Sequence, residues 1–214
     1  MQIVFISDTH GEHQNLQLPK IEAEKTMLIH TGDMSKMGRE DEIKDFLNWF
    51  EMQDYKYKVF IAGNHDFLFE KNPTLAESSI PSNCIYLNNS SVEIEGIKIW
   101  GSPITPRFYD WAFNCDRGEK IRNYWQQIPL DTDILLTHGP AYGILDQTKH
   151  GLQVGCEELI GFVEKIKPKI HAFGHIHEAY GKVTNFDTTF INASVLDIRY
   201  KLVNQPILID WTEL

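Results

Sequence analysis

The chain has 214 residues, of which 42% are apolar and 12% aromatic, and its 30 acidic side chains outnumber 20 basic ones to give a formal net charge of −10. This length suits one domain with a substantial core, so we expect a single domain over residues 1–214. Because acidic side chains are in excess and no cluster of Lys and Arg is present, a nucleic-acid polymer is disfavoured as a partner. A small anion stays compatible with it if bound metal ions reverse the charge locally.

Short apolar runs and sparse cysteines predict a protein of the cytoplasm. No run in the sequence is long enough to span a bilayer, so we expect no membrane partner. The first residues lack the basic start of a signal peptide and enter polar sequence after Ile6. The three cysteines are odd in number and widely spaced, which favours reduced thiols over disulfides.

Three apolar stretches open the chain and predict buried strands at residues 2–6, 26–31 and 57–62. Between the second and third, apolar residues recur at helical spacing and predict a surface helix over residues 39–52. A strand–helix–strand order favours parallel pairing with right-handed crossovers. Ligand sites in such sheets lie outside the carboxyl ends of the strands.

Each of these strands ends in a polar cluster. The clusters supply a carboxylate or amide together with imidazoles, namely Asp8, His10, Asp33, Asn64 and His65. Taken alone, Asp8 and His10 are equally typical of a turn with an Asx cap. Because three strands repeat the arrangement, we expect these side chains to converge at one edge of the sheet.

The middle of the chain is less regular. Two prolines predict irregular structure over residues 67–90, apart from a strand at 84–87, and further short strands follow at 91–94 and 97–101. Residues 102–118 are rich in aromatic side chains and predict either a lid or pocket wall, or a loop packed on the core by its rings. We expect a helix over residues 119–127.

The last part of the chain repeats the pattern of a strand followed by polar residues. A strand at 133–137 ends in His138, and a strand at 170–173 ends in Gly174-His175-Ile176-His177. A helix around 157–166 separates them, and three strands follow near 180–185, 188–193 and 206–210. About ten strands and four helices are too many for one open sheet, so we expect a β-sandwich of two packed sheets with helices outside.

The strand-end residues together form a ligand set: Asp8, His10, Asp33, Asn64, His65, His138, His175 and His177. Two carboxylates, one amide and several imidazoles exceed one tetrahedral site and suit two metal ions with one bridging carboxylate. Oxygen and nitrogen ligands without thiolate favour Mn, Fe, Zn or similar ions. Two such ions can clamp an anionic ester and generate a hydroxide nucleophile. Neither a G-x-S-x-G nor a P-loop motif is present.

The motifs occur in the order of the calcineurin-like metallophosphoesterase superfamily, which the chain resembles over nearly its whole length: Asp8-x-His10, Gly32-Asp33, Gly63-Asn64-His65-Asp66, His138-Gly139 and Gly174-His175-x-His177. Within it, further motifs resemble the small metallophosphoesterase-domain-containing proteins: Gly101-Ser102-Pro103, Trp111-Ala112-Phe113-Asn114, Arg117-Gly118, Val154-Gly155-Cys156 and His175-Ile176-His177-Glu178.

The resemblance implies an α/β (α+β) fold, in which two sheets and flanking helices form four layers in the order αββα. It implies that Asp8, His10 and His177 hold one metal ion, that Asn64, His138 and His175 hold a second, and that Asp33 bridges them. His65 would be a catalytic residue that faces the phosphoryl oxygen or the leaving group. The resemblance implies a phosphodiesterase or phosphatase that attacks a small substrate with a hydroxide shared between the ions. It favours a phosphodiester such as a cyclic nucleotide, and the choice between diester and monoester stays open.

Alternatives remain open at this point. The same fold occurs in binding scaffolds without turnover, but loss of metal ligands would mark that case and none is lost here. A nuclease is disfavoured by the acidic charge. Arg107 and Arg117 suit either phosphate contact or structural ion pairs, and Asp66 suits either chemistry or hydrogen bonding within its loop. His30 and His171 lie inside strands, and we expect them to be core or supporting residues.

Overall fold

The computed structural model describes residues 1–21 and 24–213. The strands are β1 Gln2–Ile6, β2 Thr26–His30, β3 Tyr57–Phe60, β4 Cys84–Tyr86, β5 Ser90–Ile94, β6 Ile97–Ser102, β7 Thr105–Pro106, β8 Asn114–Cys115, β9 Ile134–Thr137, β10 Ile170–Phe173, β11 Gly181–Asn185, β12 Thr188–Asn192 and β13 Ile207–Asp210. The α-helices are α1 Glu40–Glu51, α2 Phe67–Lys71, α3 Pro73–Ser78, α4 Glu119–Trp125 and α5 Glu157–Ile166. Short 3₁₀ turns occupy His13–Asn15, His177–Ala179 and Trp211–Glu213.

The strands form two main sheets. The first has the order β13-β1-β2-β3-β4, and the second has the order β11-β12-β10-β9-β6-β5. Strands β1 to β4 are parallel, and β13 joins β1 antiparallel. In the second sheet β6, β9, β10 and β12 are parallel, with antiparallel strands at both edges. The carboxyl ends of β1, β2 and β3 therefore share one edge of the first sheet, and those of β9 and β10 share one edge of the second.

Alternating side chains divide each strand between two cores. Ile3 and Phe5 of β1 point to a cluster shared by the two sheets, where they meet Ile134 and Leu136 of β9. Val4 and its alternate neighbours point outward to a second cluster that includes buried faces of α1, α4 and α5. This arrangement places the helices outside two facing sheets, so the predicted helix-flanked two-sheet α/β fold is confirmed.

The structure differs from the sequence prediction at residues 67–90, which were expected to be irregular outside the strand at 84–87. Helices α2 and α3 occupy part of this range. Asn72 caps α3 by accepting a hydrogen bond from the amide of Leu75 at 3.3 Å, and Pro73 takes the first helical position. Proline at this position starts a helix, because its missing N–H would be unpaired there in any case. Among the described helices, none combines the length and apolarity needed to cross a bilayer.

Candidate metal centre

The polar strand ends of both sheets meet at one place. Backbone hydrogen bonds hold them in register: the amide of Asp8 donates to Gly32 at 2.9 Å, that of His10 to Asp33 at 3.0 Å, and that of Gly174 to His138 at 2.9 Å. The structure brings together all eight residues that the sequence singled out, since each lies in one of the contacts described below. Their convergence follows from the shared carboxyl edges of the parallel strands.

Asp33 lies at the centre of this cluster. Its Oδ2 atom is 3.3 Å from Nε2 of His138, 3.6 Å from Nε2 of His10 and 4.0 Å from Nε2 of His65. Its other oxygen, Oδ1, accepts a hydrogen bond from the amide of His65 at 2.8 Å, which fixes the orientation of the carboxylate. One carboxylate oxygen therefore faces imidazoles from three different strand ends.

Two triads of potential ligand atoms surround this centre. In the first, Nε2 of His10 and Nε2 of His177 lie 3.9 and 3.5 Å from Oδ1 of Asp8. The donor atoms of this triad all lie within 4.8 Å of one another. The fully buried carboxylate of Asp8 also accepts hydrogen bonds from the amide of His175, at 3.1 and 3.0 Å, and from Ser194 Oγ at 2.7 Å.

The second triad consists of Asp33, His138 and His175, again with donor atoms within 4.8 Å of one another. Asn64 extends it, because its Oδ1 lies 2.9 Å from Nε2 of His138. A third group overlaps with these two and consists of Asp33, His10 and His65, whose donor atoms also lie within 4.8 Å of one another. Asp33 is thus common to the second triad and to the group that contains His10.

Backbone carbonyls fix the tautomers of three of these imidazoles. Nδ1 of His10 lies 3.0 Å from the carbonyl of Ser35, Nδ1 of His138 lies 2.9 Å from that of Thr31, and Nδ1 of His177 lies 3.0 Å from that of Leu196. A carbonyl oxygen only accepts, so each Nδ1 carries the hydrogen. In the neutral ring, Nε2 then presents its lone pair to the cluster, which is the usual arrangement of metal-ligating histidines.

The environment favours charged carboxylates at Asp8 and Asp33 and neutral imidazoles at His10 and His175, whereas His138 is held in the charged form. Burial lowers the pKa of His10 to about 4 and that of His175 to about 4. Burial opposes ionisation of both carboxyl groups, but His177 beside Asp8 and His138 beside Asp33 more than offset it, and both carboxyl pKa values are lowered. Burial disfavours a charge on His138 as well, yet Asp33 raises its pKa to about 9.

The donor set fits a pair of transition-metal ions. With Nδ1 of His138 donating to Thr31, the Nε2 lone pair, Asn64 Oδ1 and Asp33 Oδ2 face one another as acceptors, so a proton or a metal ion has to lie among them. Nε2 of His10 is buried and has no hydrogen-bond partner among the described residues. Ligands about 2.1 Å from one ion lie roughly 3 to 3.5 Å apart, and the separations here, 2.9 to 3.9 Å, bracket that range.

His65 occupies the rim of the cluster. Its Nδ1 lies 2.7 Å from the carbonyl of Lys36, and its ring stacks on Trp111 with centroids 4.0 Å apart and an interplanar angle of 28°. It is only partly buried, whereas Asp8, Asp33 and His138 are almost fully buried. Its Nε2 is therefore held towards the centre from the side that solvent and a substrate can reach.

Strained backbone marks the same residues. Asp8, His10, Asp33 and His175 all have positive φ, at 55°, 40°, 59° and 68°. This left-handed region is uncommon outside glycine and costs roughly 1–3 kcal/mol for a residue with a side chain. Four such residues in one cluster indicate that packing holds the backbone in this form, as is typical of functional sites.

Asp66 organises the loop that carries Asp33. Its carboxylate accepts hydrogen bonds from the amides of Gly63 at 2.8 Å, Asp33 at 3.0 Å and Ser35 at 3.0 Å, and from Ser35 Oγ at 2.6 Å. Burial, together with the neighbouring charge of Asp33, raises its pKa to about 6. Of the two roles left open by the sequence, these contacts favour hydrogen bonding within the loop.

Glycines next to the ligands are required by close approach. A Cβ at Gly63 would lie 2.2 Å from Asp33 Oδ1, and a Cβ at Gly174 would lie 2.0 Å from Asp8 Oδ2. Real Cβ contacts are essentially never this short, so any larger residue would displace a carboxylate of the cluster.

Some neighbours of the cluster were missed by sequence reasoning. Ser194, which donates to Asp8, lies in a tail segment without a recognisable motif. Tyr200 packs edge-on against His10 with ring centroids 4.8 Å apart, and its φ is 57°. Trp111 had two signals in the sequence, the aromatic composition of residues 102–118 and the Trp111-Ala112-Phe113-Asn114 motif of the resemblance, but neither indicated its contact with His65.

The remaining candidates have structural partners. Arg107 pairs with Asp116 at 2.5 Å, and Arg117 donates to the carbonyls of Gly155 and Val154 at 2.9 and 3.0 Å. His30 and His171 are fully buried and contact threonine hydroxyls at 3.0 and 2.8 Å: Thr9 for the first and Thr137 for the second. Burial lowers the pKa of each of these histidines to about 3, so both are neutral core residues.

Comparison with known proteins gives consistent matches. The family model described as calcineurin-like phosphoesterase matches residues 1–179. The human metallophosphoesterase domain-containing protein 1 is 39% identical over 233 aligned residues, covering 98% of this chain and 70% of the human protein, and the mouse protein of the same name gives the same values. The crystal structure of phosphopantetheinyl hydrolase from Mycobacterium tuberculosis shares the fold with a TM-score of 0.62 at 13% identity, covering 93% of this chain and 90% of that one.

Proposed function

The chain belongs to the calcineurin-like phosphoesterase family, and from that premise we propose that it hydrolyses small phosphodiesters with two bound metal ions. The observation that carries the proposal is the position of Asp33 Oδ2, which faces the Nε2 atoms of His138, His10 and His65. A carboxylate oxygen shared in this way suits a bridging ligand better than a ligand of one ion.

In this proposal the two sets of ligands divide between the ions. Asp8, His10 and His177 hold one, while Asn64, His138 and His175 hold the other, and Asp33 bridges them. Manganese, iron and zinc all suit this set of nitrogen and oxygen donors. When bound, the ions supply positive charge for a phosphoryl group and acidify a water molecule that serves as nucleophile.

His65 is the proposed catalytic residue. The carbonyl of Lys36 keeps Nδ1 protonated and Trp111 stacks on the ring, so Nε2 is presented to the bound ester. In the protonated ring, Nε2–H donates its proton to the leaving oxygen. Water adds its oxygen to phosphorus and gives up a proton, the bond to the leaving oxygen breaks, and that oxygen takes the proton from His65. An open-chain diester gives a phosphomonoester and an alcohol, whereas a cyclic diester opens to a single phosphomonoester that carries the new hydroxyl group.

A small substrate is favoured by the charge and size of the chain. The net charge of −10 opposes binding of a polyanion, whereas two bound cations reverse the charge locally for one phosphoryl group. A cyclic nucleotide is an example of such a diester. The three cysteines are buried and free of disulfides, which supports a reducing compartment such as the cytoplasm.

The test combines two measurements on one preparation: metal content per chain by elemental analysis, and hydrolysis of bis(p-nitrophenyl) phosphate and p-nitrophenyl phosphate with and without added manganese. We expect about two ions per chain and metal-dependent cleavage of the diester. Bound metal without turnover of either ester would contradict the proposal, as would failure to bind metal under any loading.

A further inference from the structure

Two cavities open beside different halves of the metal centre. The first, of about 410 Å³, lies against His65 and His10, and Glu12, Lys36 and Tyr200 complete its wall. We call it the His65 pocket. The second, of about 290 Å³, lies against His175 and is called the His175 pocket. An open-chain phosphodiester has two separate substituents, and the two pockets offer a place for each.

The pockets differ in chemistry. The His65 pocket has polar and charged groups around it, including Lys36, whose Nζ lies 3.5 Å from Glu12 at its edge. The His175 pocket is bounded mainly by apolar side chains, which are Pro106, Phe108, Pro140, Val154 and Ile176.

The two arginines at the His175 pocket are held by the fold. Arg107 pairs with Asp116, and Arg117 donates to two backbone carbonyls. Asp116 therefore offsets the charge of Arg107, and two N–H groups of Arg117 are already engaged by carbonyl oxygens of the protein. The chemistry of the lining favours a neutral, apolar occupant.

We propose that the His175 pocket binds the ester substituent that the substrate retains after hydrolysis, and that this substituent carries a neutral aromatic ring. The inference rests on the proposed phosphodiesterase activity and adds to it the chemical class of one substituent. Phe108 is the residue that we expect to determine this specificity.

The assignment of the retained substituent follows from His65. Because His65 donates a proton to the leaving oxygen, the leaving group lies on the side of the His65 pocket. The other substituent then extends past His175, which belongs to the second triad of ligands and also lines the apolar pocket.

The size and rim of the pocket favour a ring. A dry apolar cavity of about 150 Å³ accepts benzene, so 290 Å³ holds one ring with space for a further group. Phe108 is 57% exposed, and its described ring contact is with the exposed Tyr109, with centroids 4.4 Å apart. A large apolar side chain exposed at the rim of a cavity is available to stack on a bound ring.

The test keeps the leaving group constant and varies the retained one. Phenyl p-nitrophenyl phosphate and methyl p-nitrophenyl phosphate both release p-nitrophenol, so the same absorbance reports both reactions. With manganese-loaded protein we expect a higher kcat/KM for the phenyl ester. The Phe108→Ala substitution should lower kcat/KM for the phenyl ester roughly tenfold, mainly by raising KM. The kcat/KM for the methyl ester should stay within about twofold of its original value.

Matched variants separate this role from a general loss of fold. Phe108→Leu keeps an apolar side chain and should restore part of the phenyl preference. Phe186→Ala removes an exposed phenylalanine from the turn between β11 and β12, and it should leave kcat/KM for both esters unchanged. If the Phe108→Ala substitution lowers kcat/KM equally for both esters, or lowers it for neither, the proposed role of the pocket is wrong.

A binding measurement distinguishes failure of this inference from failure of the proposed function. Calorimetry with diphenyl phosphate and dimethyl phosphate needs no turnover, and Phe108→Ala should weaken only diphenyl phosphate. Hydrolysis of the methyl ester together with an unchanged affinity for diphenyl phosphate would overturn the pocket assignment alone. Absence of hydrolysis of every ester would overturn the proposed function, while selective loss of diphenyl phosphate affinity would still support an aromatic-binding pocket.

Discussion

The main-chain amide of His175 donates to both carboxylate oxygens of Asp8, at 3.1 and 3.0 Å, although the two residues lie 167 positions apart. The contact joins the end of a strand in the second sheet to the end of a strand in the first. It also directs Asp8 towards His177, whose Nε2 lies 3.5 Å from Asp8 Oδ1. The geometry of the first triad therefore depends on how closely the two backbones approach at Gly174.

Gly174→Ala is expected to disrupt this contact. The added Cβ would lie 2.0 Å from Asp8 Oδ2 and 2.1 Å from Ser7 Oγ, so the carboxylate has to move. We expect a loss of about 1–3 kcal/mol in the free energy of unfolding, as for overpacked cores, together with a lower metal content. Denaturant unfolding and elemental analysis measure the two effects.

Gly161→Ala is the matched control. Gly161 lies inside α5 and is exposed, and apart from the backbone of the helix itself no atom of the described residues lies within 4 Å of an added Cβ. Alanine there should stabilise the protein by about 0.5–1 kcal/mol and leave the metal content unchanged. Equal behaviour of the two variants would contradict the steric argument at Gly174.

Asp33→Asn is expected to weaken both metal sites together, because Asp33 is the proposed bridge. Asp8→Asn should affect mainly the site that it shares with His10 and His177. Elemental analysis after equal loading should give far less than one ion per chain for Asp33→Asn and about one for Asp8→Asn. The Asp54→Asn variant, which changes an exposed position, is the control that shows whether sample preparation alone alters the metal content. If the Asp33→Asn variant retains one full metal ion per chain, Asp33 is not a bridging ligand.

His65→Ala is expected to reduce the rate and leave the metal content intact. Removal of a general acid typically costs 10²- to 10⁴-fold, so we expect kcat to fall within about that range. Kinetics with bis(p-nitrophenyl) phosphate and elemental analysis of the same sample test this. His150→Ala, in an exposed loop, should change neither quantity. Loss of metal from His65→Ala would show that His65 is a ligand, against the role proposed for it.

Asp66→Asn is expected to lower both stability and metal affinity without removing a ligand. The amide NH₂ would replace one carboxylate oxygen and face the backbone N–H groups that now donate to it, either that of Gly63 at Oδ2 or that of Ser35 at Oδ1. Losing such buried charge-assisted hydrogen bonds costs about 1–3 kcal/mol. Denaturant unfolding in the presence of a chelator measures the structural part, and metal titration measures the effect through Asp33. An unchanged unfolding midpoint would contradict this role.

His171 is expected to make stability depend on pH. Thr137 Oγ1 donates to the carbonyl of Gly139, so His171 Nε2–H donates to Thr137. Within residues 1–21 and 24–213, the buried Nδ1 of His171 has no hydrogen-bond partner. Burial lowers the pKa in the folded state from 6.5 to about 3. The unfolded chain therefore takes up the proton first, and the contribution of His171 is complete above pH 6.5 and is lost as the pH falls towards 3.

Comparison with His171→Phe isolates this effect. From the shift, His171 should account for about 2 kcal/mol of the stability lost between pH 7 and pH 5. The phenylalanine variant lacks the titrating group, so its unfolding free energy should fall less steeply over that interval. Denaturant unfolding with chelator at each pH provides the measurement. Parallel curves for the two proteins would mean that His171 does not titrate between the folded and unfolded states.

The sequence was informative wherever chemistry follows a strand directly. Asp8, Asp33, His138 and His175 each lie just after an apolar run, and parallel pairing brings such positions to shared edges. Pattern alone therefore predicted that these residues converge, and the order of motifs pointed to the family. The assignment of each side chain to one ion or the other stays a prediction.

Contacts between residues that lie far apart in the sequence have no such pattern that could predict them. Ser194 reaches Asp8 across 186 positions through a single hydroxyl, and a lone serine in a tail has no periodicity to detect. Trp111 stacks on His65 because of the path of a long loop, which turn propensities do not specify. Helix α3 was missed because Pro73 was taken as an interruption, although in this context it starts a helix.

Strand β1 lies between β2 and β13, so the first of the described strands pairs along one side with the last of them. As the chain emerges from the ribosome, β1 can join β2 early, but its other side keeps unpaired amides and carbonyls until Ile207–Asp210 has been synthesised. An exposed edge of this kind invites pairing with other chains. The nascent protein therefore carries an open edge with which other chains can pair until β13 arrives, and slower synthesis of the residues up to Ile207–Asp210 would lengthen that interval.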